Sequence, residues 1–147
     1  MKLEEVPVIG TIESLPDGLD QPYWNGLARG VVMIQRCPSC QTWIWGPRWL
    51  CPACLTPKPE WVEVEPNGRV FSWTRTWQKF APEFADHVPY ITVVVELPEA
   101  GGRRLMGVLV GDDTVDPRIG DPVRGVIQPP SKLTSGAAVL RWERAAG

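Results

Sequence analysis

Four cysteines carry the clearest chemistry in this chain. Cys37, Cys40, Cys51 and Cys54 fall within RCPSCQTWIWGPRWLCPAC, residues 36–54, with the spacing Cys-x2-Cys-x10-Cys-x2-Cys. A Cys-x-x-Cys turn points two sulfurs the same way, and two such turns face to face supply a tetrahedral set of soft ligands. Pro38 and Pro52, each directly after the first cysteine of its pair, help preset the turns. Zinc is the expected ion, and iron in a rubredoxin-like site accepts the same sulfurs. Four thiolates close the coordination sphere and leave no position for water or substrate, so the metal reads as structural. A thioredoxin-type redox pair needs a helix after one Cys-x-x-Cys, and neither segment offers it. A ribbon of about 30 residues buries too little surface to fold alone, whereas metal binding contributes on the order of 10 kcal/mol.

Other chemistry is sparse. His87 is the only histidine and all four cysteines are spoken for, which excludes most nucleophile–base constellations. Ser72, Ser131 and Ser135 lack a Gly-x-Ser-x-Gly setting, and no phosphate-binding glycine loop occurs. Asp112, Asp113 and Asp116 could suggest a divalent-cation cluster, but Gly111, Pro117 and Gly120 mark an exposed turn. His87 reads as a loop residue making a hydrogen bond.

The aromatic residues pose a separate question. Trp43, Trp45 and Trp49 lie between the knuckles, with Arg48 beside them. In an extended segment Trp43 and Trp45 point to one face. They either pack the ribbon on its neighbour or present an interaction surface, since Trp and Arg dominate interface hot spots. Arg48 suits an anchor for a carboxylate or phosphate. Farther on, WQKFAPEFADHVPY (77–90) interleaves Trp77, Phe80 and Phe84 with Lys79, Glu83 and Asp86. Long loops are functional or disordered, and aromatics argue against disorder. Phe80 and Phe84 then either fold back or face a partner.

The elements that must hold these residues are short. Residues 1–18 lack periodicity and read as an extended arm, ordered against a partner. In LDQPYWNGLARG, Asp20 is placed as N-cap, Pro22 sits in the first turn and Gly30 ends a helix over about Gln21 to Arg29. Its apolar face would be Tyr23, Trp24 and Leu27. VVMIQ (31–35) reads as a strand entering the first knuckle. WVEVE, Pro66-Asn67-Gly68 and RVFSWTRTW carry a hairpin signal. YITVVVELP (90–98), RRLMGVLVG, PVRGVIQ (122–128) and AVLRWER (138–144) are further strands, the first of them central. The fold class is mainly β: a short N-terminal helix, a four-cysteine zinc ribbon, then a five- or six-stranded OB-like β-barrel. The expected organisation is arm and helix over 1–30, ribbon over 31–60 and barrel with its tail over 61–147. Stripping the metal should then unfold the ribbon while the barrel partly persists.

Composition narrows the partners. Fifteen basic against 17 acidic residues give a net charge of −2 and a pI near 5.4, which argues against single-stranded nucleic acid on the barrel despite its aromatics. MKLEEVPVIGTIESLPDG is acidic and has no long apolar run, so neither a signal peptide nor a membrane span is expected. The cytoplasm is the expected compartment, where thiols stay reduced and favour metal over disulfides.

The order of these features resembles the acyl-CoA-associated family built from a rubredoxin-type zinc ribbon and an OB-fold. The matching stretches are PYWNGLARG, RCPSC, GPRWLCPAC, NGRVFSWT, PYITVVVEL and DDTVDPRIGDPVRGVI, together spanning about residues 20 to 130. The chain departs from that pattern at Gln41, where the family usually has glycine, and at Gly46-Pro47-Arg48, where it has Pro-Pro-Arg. The resemblance implies a non-catalytic accessory subunit in a hetero-oligomer with a thiolase-superfamily acyltransferase or retro-aldolase, or with a hot-dog-fold enoyl-CoA hydratase. It also implies help in binding or channelling acyl-CoA, in lipid or steroid side-chain breakdown. On that implication Arg48, Arg75, Lys79, Arg103 and Arg104 are candidates for CoA phosphates and Trp77 for stacking on adenine. Trp43, Trp45, Trp49, Phe80 and Phe84 are candidates for partner contact. A pure scaffold that touches no small molecule is the remaining alternative.

Overall fold

Tyr90–Leu97 alternates half-buried and buried residues along its whole length, the period-two signature of a strand with one face on a core. The computed structural model, which describes residues 1–146, makes this strand (β5) one stave of a closed barrel. The other staves are β4 (Asn67–Thr76), β6 (Arg103–Val110), β7 (Pro122–Gln128) and β8 (Val139–Arg144). They close in the order β4-β5-β6-β8-β7, and only β6 and β8 run parallel. Five strands thus suffice for the barrel, and closure leaves it no free edge. Inside, Trp142 of β8 is fully buried against Gly107, where a Cβ would lie 2.9 Å from the indole. Its Nε1 has no hydrogen-bond partner among the described residues.

A second, three-stranded sheet carries the cysteines. β1 (Val32–Arg36) lies between β2 (Trp43–Ile44) and β3 (Glu60–Val64). The expected hairpin from WVEVE into RVFSWTRTW is therefore not formed. β3 pairs with β1 in five-residue register, Val32 opposite Val64, while β4 pairs with β5 and β7. Asn67-Gly68 is the start of β4 rather than a turn. Gly68 is required by close approach, since a Cβ there would meet Glu96 O and Val95 Cγ1 at 2.5 Å.

Helix α1 (Gln21–Ala28) ends on Arg29, with Gly30 left-handed at φ +86° as expected for a C-terminal glycine. Asp20 occupies the N-cap position, but its carboxylate does not cap the helix backbone. Instead it accepts from Leu15 N–H at 2.8 Å and Trp24 Nε1–H at 3.0 Å. Leu27 is buried, and Tyr23 and Trp24 pack beside it. One core cluster runs without a break from Leu27 through Val32, Ile34 and Val64 of the ribbon sheet to Val70, Ile91, Leu105 and Trp142 of the barrel.

The N-terminal arm departs from its expected dependence on a partner, because the chain itself orders it. Val6 is buried with Val108, Val110 and Phe84, and Val8 N–H donates to Leu133 O. The Val6 carbonyl accepts from Gln128 Nε2 at 2.8 Å, and the Pro7 carbonyl from Arg141 Nη2 at 3.1 Å. Arg141 Nε also donates to Gln128 Oε1 at 2.9 Å. Burial lowers the Arg141 pKa to about 10, so the Pro7 carbonyl and the Gln128 amide oxygen are what compensate a guanidinium removed from water. No helix among the described residues is long and apolar enough to cross a membrane.

Candidate metal centre and interaction surfaces

The two knuckles are near copies of one another. Cys37 N–H donates to Thr42 O and Gln41 N–H to Cys37 O; Cys51 N–H donates to Thr56 O and Leu55 N–H to Cys51 O. Gln41 and Leu55 follow the second cysteine of each pair and both are left-handed, at φ 66° and 64°. The departure from glycine at position 41 leaves the turn intact, because glutamine adopts the conformation glycine favours. It does so against a cost of about 1–2 kcal/mol, and Gln41 Nε2 offsets part of it by donating to Pro38 O at 3.1 Å.

All four sulfurs lie within 4.8 Å of one another. Cys37 and Cys54 are 3.5 Å apart, and Cys40 and Cys51 are 3.6 Å apart. A tetrahedral ion with metal–sulfur bonds of about 2.3 Å requires sulfur separations of about 3.8 Å. The donor set therefore fits a closed four-thiolate ion site. Thr42 Oγ1 lies 3.1 Å from the Cys40 sulfur, and Thr56 Oγ1 3.1 Å from that of Cys54. The Thr56 hydroxyl is the main reason the Cys54 pKa falls to about 6, and Thr42 lowers that of Cys40 in the same way. Both hydroxyls thus favour the thiolates that a metal requires. These two threonines were missed in the sequence, yet the repeated Cys-x-Thr after each knuckle is a readable signal. Gln35 was also missed: it is buried and clamps the inter-knuckle loop, accepting from Arg48 N–H at 2.8 Å and donating to Arg48 O at 3.1 Å.

The three inter-knuckle tryptophans do three different things. Trp43 packs on the barrel, where a Cβ on Gly101 would lie 2.8 Å from its ring, and its carbonyl accepts from Arg103 Nε at 2.8 Å. Arg36 stands over its ring, 5.0 Å from the centroid. Trp45 is exposed beside Tyr23, and Trp49 is exposed with Nε1 donating to Asp17 Oδ2 at 3.1 Å. In the 77–90 loop, Trp77 and Phe80 are exposed. Phe84 is withdrawn from the partner-contact candidates: it is 4% exposed, with its ring 4.5 Å from that of Tyr90.

The CoA candidates separate into groups. Arg75 and Trp77 line an open groove of about 670 Å³ with Trp73, Thr74, Thr114 and Asp116. Lys79 is exposed two residues beyond Trp77. Arg75 is already paired with Asp116, at 2.8 and 3.0 Å. Arg103 and Arg104 lie opposite Leu97 and Glu96, at the far end of β5 from the Tyr90–Thr76 pair beside that groove. Seven residues of strand separate the two places by on the order of 20 Å. Arg104 pairs with Glu96 at 3.1 Å and covers Phe71 at 3.5 Å. Arg48 is exposed on the ribbon. The acidic turn is a turn: Asp112 accepts from Thr114, and Asp116 holds Arg75. His87 donates its backbone N–H to Phe84 O.

Residues 24–60 match the family described as "ChsH2, rubredoxin-like zinc ribbon domain", and residues 61–128 match "ChsH2, C-terminal OB-fold domain". The chain belongs to the ChsH2 zinc-ribbon and OB-fold family. A DUF35 domain-containing scaffold protein of Methanocaldococcus jannaschii is 32% identical over 94 residues, 63% of this chain and 64% of that protein. A probable enoyl-CoA hydratase alpha subunit of Thermomonospora curvata is 34% identical over 105 residues, 71% of this chain. The chain spans 32% of the length of that second relative and 64% of the first. Among solved structures, a chain of "Ltp2-ChsH2(DUF35) aldolase" superposes with a TM-score of 0.73 at 26% identity, over 86% of this chain and 94% of that one. A DUF35 protein from Sulfolobus solfataricus shares the ChsH2-type fold, with a TM-score of 0.58 at 20% identity, over 90% of this chain and 87% of that one.

Proposed function

We propose that this ChsH2-family chain is a non-catalytic accessory subunit that docks on a thiolase-superfamily acyltransferase or retro-aldolase and helps hold acyl-CoA, in lipid or steroid side-chain breakdown. The observation that carries the reading is the superposition on a chain of "Ltp2-ChsH2(DUF35) aldolase" over 86% of this chain and 94% of that one. The four-cysteine site would hold structural Zn²⁺ through Cys37, Cys40, Cys51 and Cys54, and the ion would supply folding energy rather than chemistry. Functionally the chain divides into an arm with its helix over 1–30, a ribbon over 31–60 and a barrel with its tail over 61–147, with the ribbon sheet's β3 (Glu60–Val64) crossing the last boundary. Trp45, Trp49 and Phe80 are the exposed aromatics for partner contact, with Trp43 serving as the joint between ribbon and barrel. Trp77 and Lys79 would meet the nucleotide end of CoA, since Arg75 is neutralised by Asp116.

Co-purification from the native host tests the docking. A thiolase-like protein supports it, and nucleic acid or ribosomal proteins would overturn it. The name of the Thermomonospora curvata relative favours a second reading, an enoyl-CoA hydratase partner, which the same experiment separates. Calorimetry of the isolated complex with CoA esters tests the ligand. Loss of one base–aromatic stack costs about 1–3 kcal/mol, so Trp77→Ala should weaken binding by roughly fivefold to 150-fold. An unchanged constant would remove CoA from this groove.

A further inference from the structure

Between α1 and the inter-knuckle loop lies a cavity of about 300 Å³, lined by Asp20, Tyr23, Trp24, Trp45 and Pro47. Three of its five walls are aromatic, and they are set steeply to one another. The Tyr23 and Trp24 rings are 5.1 Å apart at 77°, and the Tyr23 and Trp45 rings are 5.3 Å apart at 65°. A fourth wall carries a full negative charge. Both oxygens of Asp20 are held, one by Leu15 N–H and the other by Trp24 Nε1–H, so the carboxylate is fixed against the rings.

Aromatic walls around a fixed carboxylate are the arrangement that attracts an organic cation, through ring quadrupoles and a point charge together. An apolar ligand would use the rings but would gain nothing from Asp20. Two opposing fields have to be weighed. The N-terminus of α1 contributes about half a positive charge, less than the whole negative charge of Asp20. Arg141 is close enough to lower the Tyr23 pKa against the dominant effect of burial, which raises it to about 12. That guanidinium is held by Gln128 and the Pro7 carbonyl, which are neutral, so its charge remains and opposes a cation; but Asp20 forms a wall of the cavity and Arg141 does not.

We infer that the Tyr23–Trp24–Trp45–Asp20 cage receives a guanidinium or alkylammonium group carried on a side chain of the docked protein. A side chain, rather than a free metabolite, is favoured by the setting. The cage opens on the same inter-knuckle loop that exposes Trp49, and Trp49 with Arg48 lines the next cavity along, with Pro22, Lys58 and Trp61. The inference rests on the docking reading above but is tested without the partner.

The probes are N-acetyl-argininamide, N-acetyl-lysinamide, choline and the neutral choline isostere 3,3-dimethylbutan-1-ol. They are titrated into the full metal-loaded chain while the tryptophan indole N–H signals are followed by NMR. Expected are saturable shifts at Trp24 and Trp45 with the arginine or lysine derivative. The neutral alcohol should bind about tenfold more weakly than choline, since a cation–π contact plus charge is worth on the order of 1–2 kcal/mol. Asp20→Asn should remove that preference, and Trp45→Ala, at a half-exposed position, should abolish saturation while the thermal midpoint holds. Equal binding of choline and the alcohol would make the cage a plain apolar cavity. Binding of choline alone would assign it to a free quaternary ammonium, and no saturation by any probe would overturn the site. If the cage fails while a thiolase-like partner still co-purifies, docking stands and only this inference falls.

Discussion

Thr42 and Thr56 show how much of a metal site is made by residues that never touch the metal. Each places a hydroxyl 3.1 Å from an exposed cysteine sulfur. Loss of a hydrogen bond to a ligand commonly costs about 10–100-fold in metal affinity. Thr56→Val is therefore expected to weaken zinc by at least about tenfold in competition with a chromophoric chelator, with Thr42→Val acting alike. Equal affinity in all three proteins would mean the hydroxyls merely fill space. The ligands themselves were legible in the sequence, because thiolate spacing is dictated by the ion. The surroundings were less so. Cys-x-Thr was readable in principle, whereas Gln35 clamps Arg48 across thirteen positions, and pairing that distant is set by the fold.

At the scale of elements, the strands announced themselves and their partners did not. WVEVE has a strand's composition in either sheet. What assigns it to β1 is the apolar set Val32, Ile34 and Val64 joining one core, which local turn chemistry at Asn67-Gly68 does not encode. The arm is the clearer case. It has no periodicity to read, yet its backbone carbonyls, which any residue would supply, hold a buried pair: Val6 O accepts from Gln128 and Pro7 O from Arg141. Deleting residues 1–9 removes buried Val6 and leaves Arg141 without its Pro7 acceptor. The expected cost is about 2–4 kcal/mol in chemical denaturation of the isolated chain. An unchanged midpoint would return the arm to a role that begins only on a partner.

For the whole molecule, the decisive feature is that helix, ribbon and barrel share one core. Structural zinc contributes about 10–16 kcal/mol, as much as the entire stability of an ordinary domain, so the ribbon should not survive chelation. Leu27, Val32, Ile34 and Val64 would leave with it, and each buried side chain of that kind is worth about 1.5–3 kcal/mol. The barrel is therefore expected to melt at a clearly lower temperature after metal removal, rather than persisting undisturbed. A barrel transition unmoved by chelation would show that the ribbon is only appended. Trp142 supplies the means to watch this happen. Its indole is sealed from solvent and its N–H meets no partner among the described residues, so its fluorescence should sit at the blue edge of the spectrum, apart from the red-shifted emission of Trp49 and Trp77. The molecule thus carries a built-in optical gauge of its own interior, one colour for the core and another for the surface where partners arrive.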